Sequence, residues 1–382
     1  MARPAVPLVR LLRRDIQDPN AKDRKFLGGL LRDEMLALLS GVQSEGGEFW
    51  AALYELNDPE LIPALSALGK KCHLVLGSGA FKSGEPDENA AVRARLKSEK
   101  RIDLHDRLVG SPHFAHNKFV VFAGKDGVPN RVWTGSTNWT VTGLCTQVNN
   151  GILIENAELA AAYRKRWDAL VAADAGYPPS LAQQGSVPAH VSIGTSAVTA
   201  WNVPCVGLVD LADARKLIKG ARQGVLFLFF NPGPAGALLN DVLALKADKL
   251  FVHGDEFRFN MVMIHSKVVV VDPFGPHPVV MTGSHNLGPK ASGKNDDNLV
   301  IIENAPGLAA EYAVNVLGIY GHFKSRHNAV QAAKAGAGQR AGAKTTAWKG
   351  LQDGDTWQDE FLSGEKKKEL DFWFGKLGAG PG

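Results

Sequence analysis

Two histidine and lysine pairs carry the chemistry legible in this chain. His116 and Lys118 head the run HNKFVVF, and His265 and Lys267 head HSKVVVVD. Downstream of each pair lies a Gly-Ser-x-Asn. The first copy is Gly135, Ser136 and Asn138 in TGSTNWT, and the second is Gly283, Ser284 and Asn286 in TGSHNLG. One His-x-Lys arises by chance in many proteins. Two copies with His-to-Ser spacings of 20 (116 to 136) and 19 (265 to 284) do not. Side chains alternate across a strand, so His265 and Lys267 share a face while Ser266 points away, and His116 and Lys118 do the same around Asn117. The asparagines stand two residues after the serines, each pair behind a glycine that lets backbone approach closely. Imidazole, ammonium, hydroxyl and amide without a carboxylate cluster describe an anion site, not a metal site. Phosphate is its natural occupant.

The elements that position these residues are duplicated too. NNGILIEN begins at Asn149 and DNLVIIEN at Asp297, 148 residues on (297 less 149). An amphipathic stretch near Leu30 to Leu39 precedes the strand FWAALYEL, and a helix opened by Asn57, Asp58 and Pro59 leads to CHLVLG. In the second half DLADARKLIKGARQ precedes VLFLFF, and PAGALLNDVLALKA precedes KLFVHG. A helical pattern follows each IEN. Strands alternating with helices predict α/β layers around buried mixed sheets. The expected organisation is a first half over 1–171, a Pro, Gly, Ser and Gln-rich linker over 172–205 with one strand, SAVTAWNV, and a second half over 206–327. An Ala/Gly/Lys low-complexity stretch and a C-terminal extension with aromatics spaced to pack back fill 328–382.

Composition bounds the rest. The 382 residues, 45% hydrophobic and 21% charged, are ordinary for a globular protein. A formal charge of +4 is a mild basic bias, short of a nucleic-acid footprint. Three scattered cysteines, Cys72, Cys145 and Cys205, build neither a disulfide framework nor a CxxC clasp, which fits a reducing compartment. Arg10, Arg13 and Arg14 interrupt the N-terminus before a signal-peptide core forms. The longest apolar run, GVLFLFF, is too short to span a bilayer. These readings give a cytoplasmic protein with no transmembrane segment. The first half starts abruptly, as a piece of a longer protein would. His105, His113 and His285 have no counterpart in the other half and read at best as facing substrate. Glu155 and Glu303 read as strand-end acids, and Trp139 as buried.

The two motifs resemble the signature of the phospholipase D superfamily, HxKxxxxD followed by GSxN, over about residues 45 to 325. The second copy matches throughout, with Asp272 as its supporting aspartate. The first has Ala123 in that place. The resemblance implies two homologous αβα sandwich halves about a pseudo-twofold axis, an intramolecular pseudo-dimer that works as a monomer without cofactor or metal. It also implies that one histidine attacks phosphorus while the other protonates the leaving oxygen, roles suited to a group whose ordinary pKa is about 6.5. Lys118, Lys267, Asn138 and Asn286 would hold and stabilise the phosphoryl oxygens, with Ser136, Ser284, Gly135 and Gly283 lining the substrate. In the family a carboxylate 13 residues after the motif serine orients the nucleophilic imidazole. That place is Asp297 in the second copy and Asn149 in the first, so the expected nucleophile is His265 oriented by Asp297, with His116 as general acid.

Three functions compete on this evidence. The first is hydrolysis of a phospholipid headgroup diester, with peripheral membrane contact. The second is nuclease or nucleic-acid end-processing activity, towards which GSTNWT leans. The third is a degenerate phosphate-binding module, suggested by Ala123 and Asn149.

Overall fold

The computed structural model describes residues 8–79, 87–233, 236–245, 251–255, 263–336 and 354–374. Two helices, α1 (Leu8–Asp15) and α2 (Lys22–Glu45), lead into β1 (Glu48–Leu53), α3 (Leu61–Ala67), β2 (Cys72–Gly77), α4 (Ala90–Glu99) and β3 (Asp103–Arg107). The first His-x-Lys opens β4 (Lys118–Ala123). It is followed by β5 (Pro129–Gly135), α5 (Val141–Cys145), β6 (Gln147–Val148), β7 (Gly151–Glu155), α6 (Ala157–Ala173) and α7 (Pro179–Gly185). Then come β8 (Ala189–Ile193), β9 (Ser196–Val203), α8 (Val209–Lys219), β10 (Gly224–Leu228), α9 (Leu238–Ala244), β11 (Phe251–Asp255) and β12 (Met263–Ile264). The second His-x-Lys precedes β13 (Val268–Val271), β14 (Val279–Gly283), α10 (Pro289–Lys294), β15 (Asp297–Glu303), α11 (Pro306–Gly336) and α12 (Gly364–Trp373).

A five-stranded unit occurs in both sheets. It is β2-β1-β4-β5-β7 in the first and β11-β10-β13-β14-β15 in the second, each with one parallel pair followed by antiparallel pairs. The motif strands β4 and β13 are buried along their whole length, which is why KFVVFA and VVVV read as continuous apolar runs without alternation. Register fixes equivalent positions. Leu53 stands opposite Lys118, and Leu228 opposite Val268, so Phe229 is level with Lys267. Tyr54 and Phe230 are therefore counterparts, and so are Glu55 and Asn231.

The halves meet through α6, whose Leu159, Tyr163, Trp167 and Leu170 join one core with Val121 and Val132 of the first sheet and Val198, Val300 and Ile302 of the second. Hydrogen bonds cross the same seam with twofold regularity. Thr134 Oγ1 donates to Asn298 Oδ1 at 2.6 Å, while Asn150 Nδ2 donates to Thr282 Oγ1 at 2.7 Å. The two-stranded β6/β12 ribbon adds His265 N and Ser266 N donating to Val148 O, both at 2.9 Å. Arg107 Nε meets Asp296 Oδ2 across the seam at 2.9 Å, both groups being buried.

The segment 172–205 departs from the linker expectation. It carries α7 and the hairpin β8/β9, and β9 pairs antiparallel with β15 from Asp297↔Val203 to Glu303↔Ala197. The cause is local. HVSIGTSAVTAWNV holds β-branched alternation on both sides of a turn at Gly194, whose φ is +58°. The Pro and Gly residues read as a linker only punctuate these short elements. Helix α11 likewise runs past 328 to Gly336 because alanine favours helix whatever its complexity. The rest of the low-complexity stretch, 337–353, lies outside the described residues. Phe372 of α12 is buried with its ring 5.4 Å from Phe274, so the C-terminal aromatics do pack on the body.

Candidate active site at the seam between the halves

The two His-x-Lys pairs occupy mirrored surroundings. His116 lies edge-on to Tyr54 with ring centroids 4.7 Å apart, and Lys118 Nζ sits 4.8 Å over the same ring while donating to His116 O at 2.7 Å. His265 lies edge-on to Phe230 at 4.6 Å, and Lys267 Nζ sits 4.7 Å over that ring while donating to His265 O at 2.6 Å. Each ammonium spends one proton on this backbone carbonyl, which fixes its direction and leaves two for an anion. The four groups are 7%, 1%, 4% and 0% exposed in chain order, so water screens them little.

Burial dominates their protonation. It pushes the His116 imidazole down to about 4 against the pull of Asp297, and holds His265 well below its ordinary value with the help of Lys267, Lys118 and His116. Lys118 comes down to about 8 by burial, opposed by Asp297 and Glu55. Lys267 falls well below the ordinary lysine value by burial and the charge of Lys118. Burial thus favours the neutral form of both rings, and an anion beside them favours the charged form of the imidazoles and lysines alike.

Ring orientation crosses the seam. His116 Nδ1 lies 2.8 Å from Asp297 Oδ1, in the other half, and His265 Nδ1 lies 2.9 Å from Asn149 Oδ1. This corrects the expectation that Asp297 orients His265. Asp297 opens β15, which packs across the pseudo-twofold axis, and a 13-residue count cannot show which half a side chain faces. Burial alone would raise the Asp297 carboxyl, but the charge and hydrogen bond of His116, with His285 and Lys118, hold it below its ordinary value. An ionised Asp297 accepts Nδ1–H and leaves the His116 Nε2 lone pair free. Asn149 has a different duty: its Nδ2 donates to Gly143 O at 2.9 Å and Gln147 Oε1 at 3.2 Å, where a carboxylate would meet two oxygens.

The family model described as "Cardiolipin synthase, PLD-like domain" matches residues 43–171 and 237–317. The chain belongs to this phospholipase D-like family. No curated protein matches the sequence. Among solved structures, phosphatidylserine synthase from Haemophilus influenzae Rd KW20 superposes with a TM-score of 0.56 at 11% identity, over 79% of this chain and 91% of that one. Polyphosphate kinase from Porphyromonas gingivalis gives 0.49 at 12% identity over 74% of this chain, which spans 44% of that protein's length. Nuc from Salmonella typhimurium gives 0.27 at 21% identity, over 32% of this chain and 93% of that one. The two-sheet pseudo-twofold architecture is that of the phospholipase D-like fold.

The motif residues divide into two groups by what they touch. Ser136 Oγ donates to Asn149 Oδ1 at 2.7 Å and accepts from Asn150 N at 3.0 Å, while Ser284 Oγ accepts from Asn298 N and Nδ2, both at 3.1 Å. Both serines are fully buried and hold the strands that carry Asn149 and Asp297, in contrast to the substrate-lining place expected of them. Gly135 and Gly283 do the same steric work. A Cβ at either would lie 2.3 Å from the carbonyl oxygen of Asn150 or Asn298. The asparagines differ: Asn138 Nδ2 donates to Glu55 Oε2 at 2.7 Å, and the buried Oδ1 atoms of Asn138 and Asn286 have no partner.

Asp272, the phospholipase D-like aspartate, lies at the far end of β13. It accepts from Arg222 N at 2.8 Å, Gln223 N at 2.7 Å and Gly224 N at 2.9 Å, the three amides that lead into β10. The first half needs no such residue. The corresponding Gly46 N and Gly47 N close the C-terminus of α2 by donating to Gln43 O and Val42 O. Ala123 is thus an exchange of one cap for another.

His285 is fully buried with Nε2 3.0 Å from Asp210 Oδ2, braced behind the second GSxN, and does not face substrate. His113 Nδ1 lies 2.9 Å from Lys294 O, and His105 lies 3.1 Å from Asp103 on β3. Tyr54, Phe230 and Glu55 escaped the sequence reading. The FWAALYEL and VLFLFF strands are legible in the sequence, but only sheet register brings their ends under the lysines. Among the described residues no helix is long and apolar enough to cross a membrane, and no group of three or more His, Cys, Asp and Glu could hold a metal ion.

Proposed function

We propose that the protein is a phosphodiesterase that works through a covalent phosphohistidine, with His116 as nucleophile and His265 as general acid. The crossing of the seam carries this reading: among the described residues, the carboxylate that holds a site imidazole holds His116. When His116 Nε2 attacks phosphorus, a P–N bond forms and the ring becomes cationic, which Asp297 stabilises by charge. The P–O bond to the leaving alcohol breaks as His265, which takes up a proton to become the imidazolium when the anionic phosphodiester enters, delivers that proton from Nε2 and keeps Nδ1–H on Asn149 Oδ1. His265 then takes a proton from water, whose oxygen attacks phosphorus and releases His116. Asn149 suits the acid role, since an amide holds the tautomer without stabilising the imidazolium and so leaves it readier to give its proton. Lys118, Lys267 and Asn286 donate to the phosphoryl oxygens, and Asn138 joins them through the Nδ2 hydrogen that Glu55 does not take. No step calls on a metal or an organic cofactor.

The substrate proposed is a phospholipid headgroup diester. The description of the matching family, a cardiolipin synthase, concerns a lipid phosphodiester, and the negative charge of Glu55, which bears on both lysines, disfavours a polyanion such as DNA. The test sets purified protein against phospholipid vesicles and single-stranded DNA side by side, with chelator and with added alcohol as separate arms. Lipid cleavage that survives chelator and is abolished by His116→Ala and by His265→Ala supports the reading. Cleavage of DNA alone reassigns the substrate, loss of activity with chelator removes the metal-free mechanism, and headgroup exchange with the alcohol reassigns the acceptor. Failure to turn over any diester leaves the binding module.

A further inference from the structure

Besides Asp297 against Asn149, the pseudo-twofold symmetry of the site breaks at a second charged position. Glu55 stands two residues past the end of β1, and its counterpart by register is Asn231, which is neutral. Glu55 Oε2 accepts from Asn138 Nδ2 at 2.7 Å, so the acceptor-only carboxylate dictates which way that amide faces, and the buried Oδ1 has no partner. The backbone makes the arrangement rigid: Trp139 N donates to Glu55 O at 3.2 Å, and Asn57 N donates to Trp139 O at 3.1 Å. The charged and titratable groups that feel Glu55 are Lys118, Lys267 and Tyr54, with Glu88 next to it. Glu88 comes within reach of Glu55 around Gly79, where a Cβ would lie 3.0 Å from Glu88 Oε2 and 3.4 Å from Glu55 Cγ.

Resting on the phosphodiesterase reading, we propose that Glu55 is a specificity-determining residue: its fixed negative charge beside the paired lysines admits a singly charged phosphodiester and turns away a doubly charged phosphomonoester. Asp297 and Glu55 already offset part of the lysines' charge, so each further negative charge a ligand brings meets their opposition in proportion. A monoester or inorganic phosphate brings two at neutral to alkaline pH. The charge of Glu55 bears on both Lys118 and Lys267, the groups that meet the phosphoryl oxygens.

The experiment measures calorimetric binding of dimethyl phosphate and methyl phosphate at pH 8 to the wild type, Glu55→Gln and Asn231→Asp. Glutamine can still accept from Asn138, so the substitution removes charge and keeps geometry. Coulomb energy is linear in ligand charge. A gain of about fivefold for the monoanion therefore predicts its square, about 25-fold, for the dianion. Asn231→Asp adds a second carboxylate at the mirrored place and is expected to weaken both ligands in the same squared proportion, which keeps the proposal testable if Glu55→Gln fails to fold. Equal changes for the two ligands, or none, overturn the role of Glu55 while dimethyl phosphate binding by the wild type preserves the phosphodiesterase reading. Wild-type protein that binds neither ligand overturns both.

Discussion

Asp297→Asn should separate the two histidines. The substitution gives His116 the same partner that His265 already has, an amide whose oxygen can accept Nδ1–H as Asn149 Oδ1 does at 2.9 Å. Ring direction and tautomer are kept, and the charge is lost. Attack makes the His116 ring cationic beside a carboxylate whose nearest oxygen is 2.8 Å from Nδ1, with both groups buried. Charge centres about 4 Å apart at an effective dielectric of about 20 interact by about 4 kcal/mol. That corresponds to a loss of about a thousandfold in rate. The assay is kcat/KM for a chromogenic phosphodiester across pH, because Asp297 also supports the charge of Lys118 and Lys267 and its removal shifts the alkaline limb downward. A loss below tenfold for Asp297→Asn, with a thousandfold loss for Asn149→Ala, would refute the reasoning and move the nucleophile to His265.

Asp272→Ala strands three backbone N–H groups, so urea denaturation should show a loss of about 2–4 kcal/mol, while kcat/KM of the folded protein stays within about threefold of wild type. Adding the aspartate to the first half, Ala123→Asp, should also destabilise by urea denaturation, since the amides it would serve are already capped and the position is fully buried. Stability should fall with acid. A folded His116 pKa near 4 lies below the unfolded value, so the unfolded chain binds the extra proton as pH drops below about 6.5, and the penalty stops growing below about 4. His116 alone contributes about 3 kcal/mol over that window and His265 acts in the same direction, so denaturation midpoints at pH 7.5 and 5 should differ less in the His116→Ala, His265→Ala double variant.

Much of this was legible before any coordinates. The duplicated HxK and GSxN types, and the apolar runs behind them, identify two sheets that bury strands on both faces and carry the motif residues to the seam between the halves. Side chains two apart on a strand share a face whatever the fold, so the His and Lys pairs could be placed together from spacing. Asp297 could not. Whether it serves its own half or the other depends on how β15 lies across the seam, a relation that no local pattern encodes. Ala123 looked like a damaged motif for a similar reason: the amides that Asp272 caps come from a segment some 50 residues earlier, and in the first half Gly46 and Gly47 had already found partners in α2. Glu55 is invisible as a site residue until register sets it two positions past the residue opposite Lys118.

The central claim is that His116 becomes the phosphorylated residue, and the direct measurement is to trap it. A diester with an activated aryl leaving group needs no general acid to depart, so His265→Ala should still form the adduct yet lack the base that activates water. Alkaline quench followed by peptide mass spectrometry is then expected to find the phosphoryl group on His116, accumulating in His265→Ala and absent from His116→Ala. A phosphoryl group on His265, accumulating in His116→Ala, would contradict the account.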